Sequence, residues 1–171
     1  GAGAAGDIRI KFNGGATPRF GEVRTAAGSA QNITIDSAVG LVFSTAQPGY
    51  GGVLGGGSSS VTANDAYTIN AAGTIHFDNF DNSFTASTIT MTSGGGVNQG
   101  TSGGGDMMAT TGLLTVNANG GSIGSAANPA RLRGSGTKTL YARDDLYLHA
   151  GSNPLTLAGL TTGAGPHSGA T

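Results

Sequence analysis

An apolar–Thr–apolar triplet recurs seven times in this chain, centred on Thr34, Thr62, Thr68, Thr85, Thr90, Thr115 and Thr156. Random placement of the same residues would give about three. Such a triplet reads as one strand, with two apolar side chains on the inner face and Thr on the outer. The stretch from Gly112 to Gly159 continues the theme. Leu114/Val116, Leu140, Leu146/Leu148 and Leu155/Leu157 are short period-2 runs, separated by Gly, Asn, Ser and Pro. Half-buried strands joined by turn chemistry fit that pattern, and no 3.6-residue period interrupts it. Recurrent strands without helices point to a solenoid in which each coil stacks on the next. Spacing between triplets is irregular, so the repeat is degenerate.

Taken in order, the first clear strand is Gly6 to Phe12. There Ile8, Ile10 and Phe12 alternate with Asp7, Arg9 and Lys11. Further strands are expected at 20–25, with Val23 inward, and at 31–36, 41–43, 61–63, 67–70, 74–77, 84–86 and 88–92. Leu41 lies eight residues after Ile33, and Ile75 eight after Tyr67. Two Gly-rich stretches, 47–60 and 93–105, read as excursion loops. Residues 160–171 read as a weakly ordered tail, and the whole chain, 1–171, as one β-helix domain or fragment. The fold expected is all-β, a right-handed parallel β-helix of about seven degenerate coils.

Composition narrows the alternatives. Gly makes up 33 of the 171 residues, and only 10% of residues are charged. Usual values are about 7% and about 25%. Disordered chains carry high net charge and few β-branched residues. This one has net charge −1 and abundant Val, Ile and Thr. The glycines lack the every-third-residue period of collagen and are read as turn and bulge positions needing positive φ. The charge balance gives no reason to expect nucleic acid as a partner. Without cysteine, disulfides and thiolate metal sites are excluded. No apolar run is long enough for a transmembrane helix.

Gly121 to Gly151 resembles the β-helix repeats of filamentous-haemagglutinin-like proteins, the large exoproteins of two-partner and autotransporter secretion in Gram-negative bacteria. The matching residues are G-S-I-G at 121–124, N-P-A-R-L at 128–132 and D-D-L-Y-L-H-A at 144–150. The opening G-D-I-R-I resembles a rung of the same families. About a third of the chain carries the likeness, and the long Gly-rich loops depart from it. The resemblance implies a right-handed parallel β-helix, extracellular or held at the bacterial cell surface, acting as a stalk or adhesin. Host or cell-surface glycans are the ligands it suggests.

Candidate sites are few. His76, Asp78 and Asp81 sit in I-H-F-D-N-F-D-N-S, but the spacing of a calcium loop is missing. They read as a polar turn. Arg143, Asp144 and Asp145 bear on polysaccharide cleavage only if paired carboxylates stand at a set separation, and the resemblance already implies a structural role for this pair. His149 and His167 are lone histidines. Asn32-Ile33-Thr34 matches a glycosylation sequon. The Gly-rich 47–60 stretch lacks the Lys-Ser/Thr ending of a phosphate loop. No catalytic, cofactor or metal residue is assigned, and the chain is expected not to be an enzyme.

The leading functional expectation is a structural segment of an extracellular adhesin or surface fibre. Both ends are rich in Gly and Ala without an amphipathic cap, so copies of itself or adjoining β-helix segments are expected to stack end to end. Two other classes compete: an ice- or surface-binding solenoid, with Thr88, Thr90 and Thr92 on a flat outer face, and a carbohydrate-active β-helix.

Overall fold

The computed structural model describes residues 7–20, 32–44, 66–78, 84–100, 108–110, 112–133, 135–150 and 156–163. Among them are fifteen strands and no helix. In chain order they are β1 (Ile8–Phe12), β2 (Arg19–Phe20), β3 (Asn32–Ser37), β4 (Leu41–Ser44), β5 (Ala66–Ala71), β6 (Ile75–Asp78), β7 (Phe84–Ala86) and β8 (Thr88–Ser93). Then follow β9 (Val97–Gln99), β10 (Met108–Thr110), β11 (Leu114–Ala118), β12 (Ala130–Arg133), β13 (Thr137–Ala142), β14 (Leu148–Ala150) and β15 (Thr156–Thr162).

The strands form three sheets, ordered β1-β3-β5-β8-β11-β13-β15, β2-β4-β6-β9 and β7-β10-β12-β14. Every pairing is parallel. The chain visits the sheets in turn: β5, β6 and β7 lie in the first, second and third, as do β8, β9 and β10. Bridges from Val97 to Ile123 and from Ile123 to Leu146 carry the second sheet onward past β9.

Alternation fixes which side chains meet. In the first sheet Ile33, Tyr67, Ile89 and Leu114 follow one another in register, and Ile35, Ile69, Met91, Val116 and Leu140 form the next inward column. All of these are buried. Each fully buried aliphatic side chain contributes about 1.5–3 kcal/mol. In the second sheet Phe20, Phe43 and Phe77 stack, with ring centroids 5.5 and 5.4 Å apart. Beside them Leu41, Ile75, Val97, Ile123 and Leu146 form an aliphatic column. The corner after the first sheet takes small residues, Ser37, Ala71, Ser93, Ala118 and Ala142. Ser93 Oγ lies 2.8 and 2.9 Å from the Gly73 and Gly96 carbonyls, so its hydroxyl satisfies backbone at that corner.

Three expectations need revising. Positive φ explains only Gly14, Gly15, Gly124 and Gly163 among the described glycines. The corner glycines answer a different need, because consecutive repeats bring backbone onto backbone. A Cβ on Gly40 would lie 2.6 Å from the Thr74 carbonyl oxygen, and one on Gly73 would lie 2.8 Å from the Gly40 nitrogen. Second, the stretch 93–105 is not loop throughout, since it holds the end of β8 and all of β9. Val97 is a buried inward residue there, and one apolar side chain among glycines suffices once its neighbours above and below are in place. Third, residues 160–162 of the expected tail belong to β15, paired to β13. The 47–60 loop, the 61–63 strand, Val23 and residues 164–171 lie outside the described residues.

Candidate functional site

The outer face of the first sheet is built from the residues between the buried ones. Thr34, Thr68, Thr90, Thr115 and Thr139 stand in register on five consecutive strands. Four come from the triplets seen in the sequence, while Thr139 sits in Lys-Thr-Leu. Successive strands lie about 4.8 Å apart and alternate residues about 6.6 Å along a strand, so the hydroxyls and methyls repeat on a regular grid. β-Branching restricts χ1 of each Thr. From β5 to β15 the outward positions carry no charge; Thr88, Asn70, Thr92, Asn117 and Thr161 flank the central ladder.

Charge collects at the β1 end. Lys11, Asp36, Asn70 and Thr92 stand in register on β1, β3, β5 and β8. Asn70 Nδ2 donates to Asp36 Oδ1 at 2.8 Å. Beside this column lies a depression of about 400 Å³ that opens to solvent. Phe12, Ala38, Ala71 and Ala72 supply its apolar lining, and Lys11, Asp36, Asn70 and Thr92 its polar groups. It exists because the corner side chains are alanines, which leave room beside the taller polar ladder. Arg9 pairs with Asp7 at 4.0 Å on the surface. Surface pairs of that kind contribute little.

The residues singled out in the sequence are scattered. His76 is half-buried on β6, with Val42 and Asn98 as its register neighbours; Asp81 and His167 lie outside the described residues. Arg143, Asp144 and Asp145 are exposed in the turn after β13. Their backbone hydrogen bonds run across to the preceding repeat, between Ala118 and Ile123. Asp145 N–H donates to Ser122 Oγ at 3.1 Å, and Ile123 N–H donates to the Asp145 carbonyl at 2.9 Å. His149 is exposed beside Arg131 in register. Asn32 opens β3, and its side-chain amide donates to Asp7 Oδ1 at 3.2 Å. No group of three or more His, Asp or Glu side chains converges among the described residues, and no described helix is long and apolar enough to cross a membrane.

Lys138 is the residue that sequence reading overlooked. It occupies an inward position of β13, between Leu114 and Leu157 in register, and is 0% exposed. Its Nζ donates to the Gly136 carbonyl. Desolvation by burial holds its pKa below the ordinary lysine value. The signal was available, because Leu140 points inward and Lys138 shares its parity. Next to it the register slips by one residue between Lys138 and Thr139, leaving Ala158 of β15 unmatched.

Compared with known proteins, the chain matches no family model, no curated protein and no solved structure.

Proposed function

We propose that the three sheets close into a right-handed parallel β-helix of about seven coils, and that the chain is a structural segment of an extracellular adhesin or surface fibre at the bacterial cell surface. Parallel crossovers within one sheet are right-handed in nearly all known cases, and the sheet-by-sheet progress of the chain suits closure. The partners are adjoining β-helix segments or copies of the chain, stacked along the helix axis. One observation carries this reading. The inward columns of the first sheet run on to β15, where Leu157 is 41% and Leu160 38% exposed. Apolar columns open at an edge strand present both a hydrophobic surface and unpaired backbone groups to a further strand. Contact between unlike ends is heterologous and extends into an open filament.

Electron microscopy of the purified chain tests it. Thin unbranched filaments are expected, and Leu157→Lys with Leu160→Lys should shorten them. Discrete globular particles at all concentrations would overturn the reading.

The five-threonine ladder favours a second reading, binding of the uncharged outer face to an ordered surface such as ice. Thermal hysteresis is the expected signal, lost on Thr90→Lys; unshaped crystals at high protein concentration would exclude it.

A further inference from the structure

We propose that the depression beside Asp36 and Asn70 is a saccharide subsite that takes one uncharged pyranose unit of a surface glycan. The proposal rests on the adhesin reading for its biological sense and adds to it the place of contact.

The lining has two characters, and so does a pyranose ring. Phe12, Ala38, Ala71 and Ala72 give an apolar floor, against which the C–H face of a sugar can lie. Lys11, Asp36, Asn70 and Thr92 border it with groups that both donate and accept. The Asp36 carboxylate accepts one hydrogen bond from Asn70 and keeps lone pairs for two hydroxyl donors. Asn70 retains its Oδ1 acceptor and its second N–H. Lys11 donates only, and Thr92 does both. Sugar hydroxyls, each a donor and an acceptor, can satisfy such a mixed set.

Charge selects against other ligands. Lys11 and Asp36 offset one another, so the site carries no net charge to recruit an ion and suits a neutral occupant. The volume, about 400 Å³, falls in the range of small-molecule pockets, about 300–1,000 Å³. Its polar groups are also held in place. Asp36, Asn70 and Thr92 sit on three consecutive parallel strands whose register is fixed by the buried columns beneath. Groups mounted on strands keep their geometry better than groups on loops.

Saturation-transfer difference NMR on the intact chain tests the proposal. The probes are methyl β-D-galactopyranoside, methyl α-D-mannopyranoside, methyl α-D-glucopyranoside and N-acetylglucosamine, each at about 10 mM, well above the millimolar affinity expected of a single-ring subsite. At least one should show transfer to its ring protons. That transfer should weaken about tenfold or more in Asp36→Ala and Asn70→Ala, fall in the near-isosteric Thr92→Val, and persist in Thr139→Ala, two strands beyond β8 on the central ladder. Circular dichroism of the variants controls for folding. No transfer to any of the four probes overturns the proposal, as does transfer unchanged in both Asp36→Ala and Thr92→Val. The fibre reading is scored separately, by microscopy of the same samples: filaments without sugar binding refute the subsite alone.

Discussion

The middle of the first sheet and its β15 end are made of the same kinds of residue, yet they are buried to different degrees. Ile33, Tyr67, Ile89 and Leu114 each have a register neighbour on both sides, and each is at most 1% exposed. Leu157 continues this column and Leu160 the next; among the described strands both pair with β13 alone, and both are exposed. The lesson is that no repeat here buries its own core. Burial belongs to the paired strands together, and the last described strand of the sheet presents an apolar surface.

The sharpest way to break that comparison is to empty the middle. Ile89→Ala removes a fully buried side chain from β8, in the middle of the first sheet, where losses of about 2–5 kcal/mol are usual for a buried Ile. Leu160→Ala at the edge should cost less than about 1 kcal/mol. Urea denaturation of the two variants would show it, and equal losses would erase the distinction between middle and end. Gly94→Ala comes next. A Cβ there runs into the Ala72 carbonyl of the preceding repeat, and strain of about 1–3 kcal/mol is expected as a lower urea midpoint.

Lys138 sharpens the comparison from the other side, since it lies where the closed columns meet the open end. Lys138→Met keeps the apolar stem, removes the ammonium and should stabilise by about 1 kcal/mol. That raises the melting temperature by about 2–4 °C. The pH dependence has a definite sign. Desolvation by burial holds the folded pKa below the ordinary lysine value, so between the folded and unfolded values the unfolded chain binds more protons. Stability contributed by this group therefore rises with pH through that window, and the penalty of the buried charge is fully present below it. Melting followed from neutral pH to pH ~10.5 should show that rise in the parent chain and lose it in Lys138→Met. The smallest effect belongs to the outer ladder. Thr115→Val should stay within about 0.5 kcal/mol of the parent by urea denaturation.

Much of the architecture was legible because alternation and corner length are local. Ile33 to Leu41, Tyr67 to Ile75 and Ile89 to Val97 are each eight residues apart, and each pair spans the corner between first and second sheets. The third of these corners crosses Ser93–Gly96, which reads as loop because glycines mask the one apolar residue behind them. Glycine itself was legible as a breaker but not as a contact, since the backbone it touches belongs to a repeat more than twenty residues away, as with Gly94 and Ala72. The Asp36–Asn70 pair was invisible for the same reason: 34 residues separate its members, and only register brings them together. Lys138 was hidden by its type, because a lysine in a Thr-Lys-Thr run reads as solvated unless parity is carried back from Leu140.

In-register stacking is the claim on which the rest depends, and the spacing of Thr34 and Thr139 measures it directly. Four strand steps separate them, about 19 Å at ~4.8 Å per step. The chain has no cysteine, so spin labels on Thr34→Cys and Thr139→Cys, diluted into an excess of unlabelled chain, report this pair alone in pulsed dipolar spectroscopy. The stacked arrangement predicts one narrow distance distribution at about 2–3 nm once the label arms are included. A broad distribution centred near 5 nm, the span of a flexible segment of about a hundred residues, would contradict it.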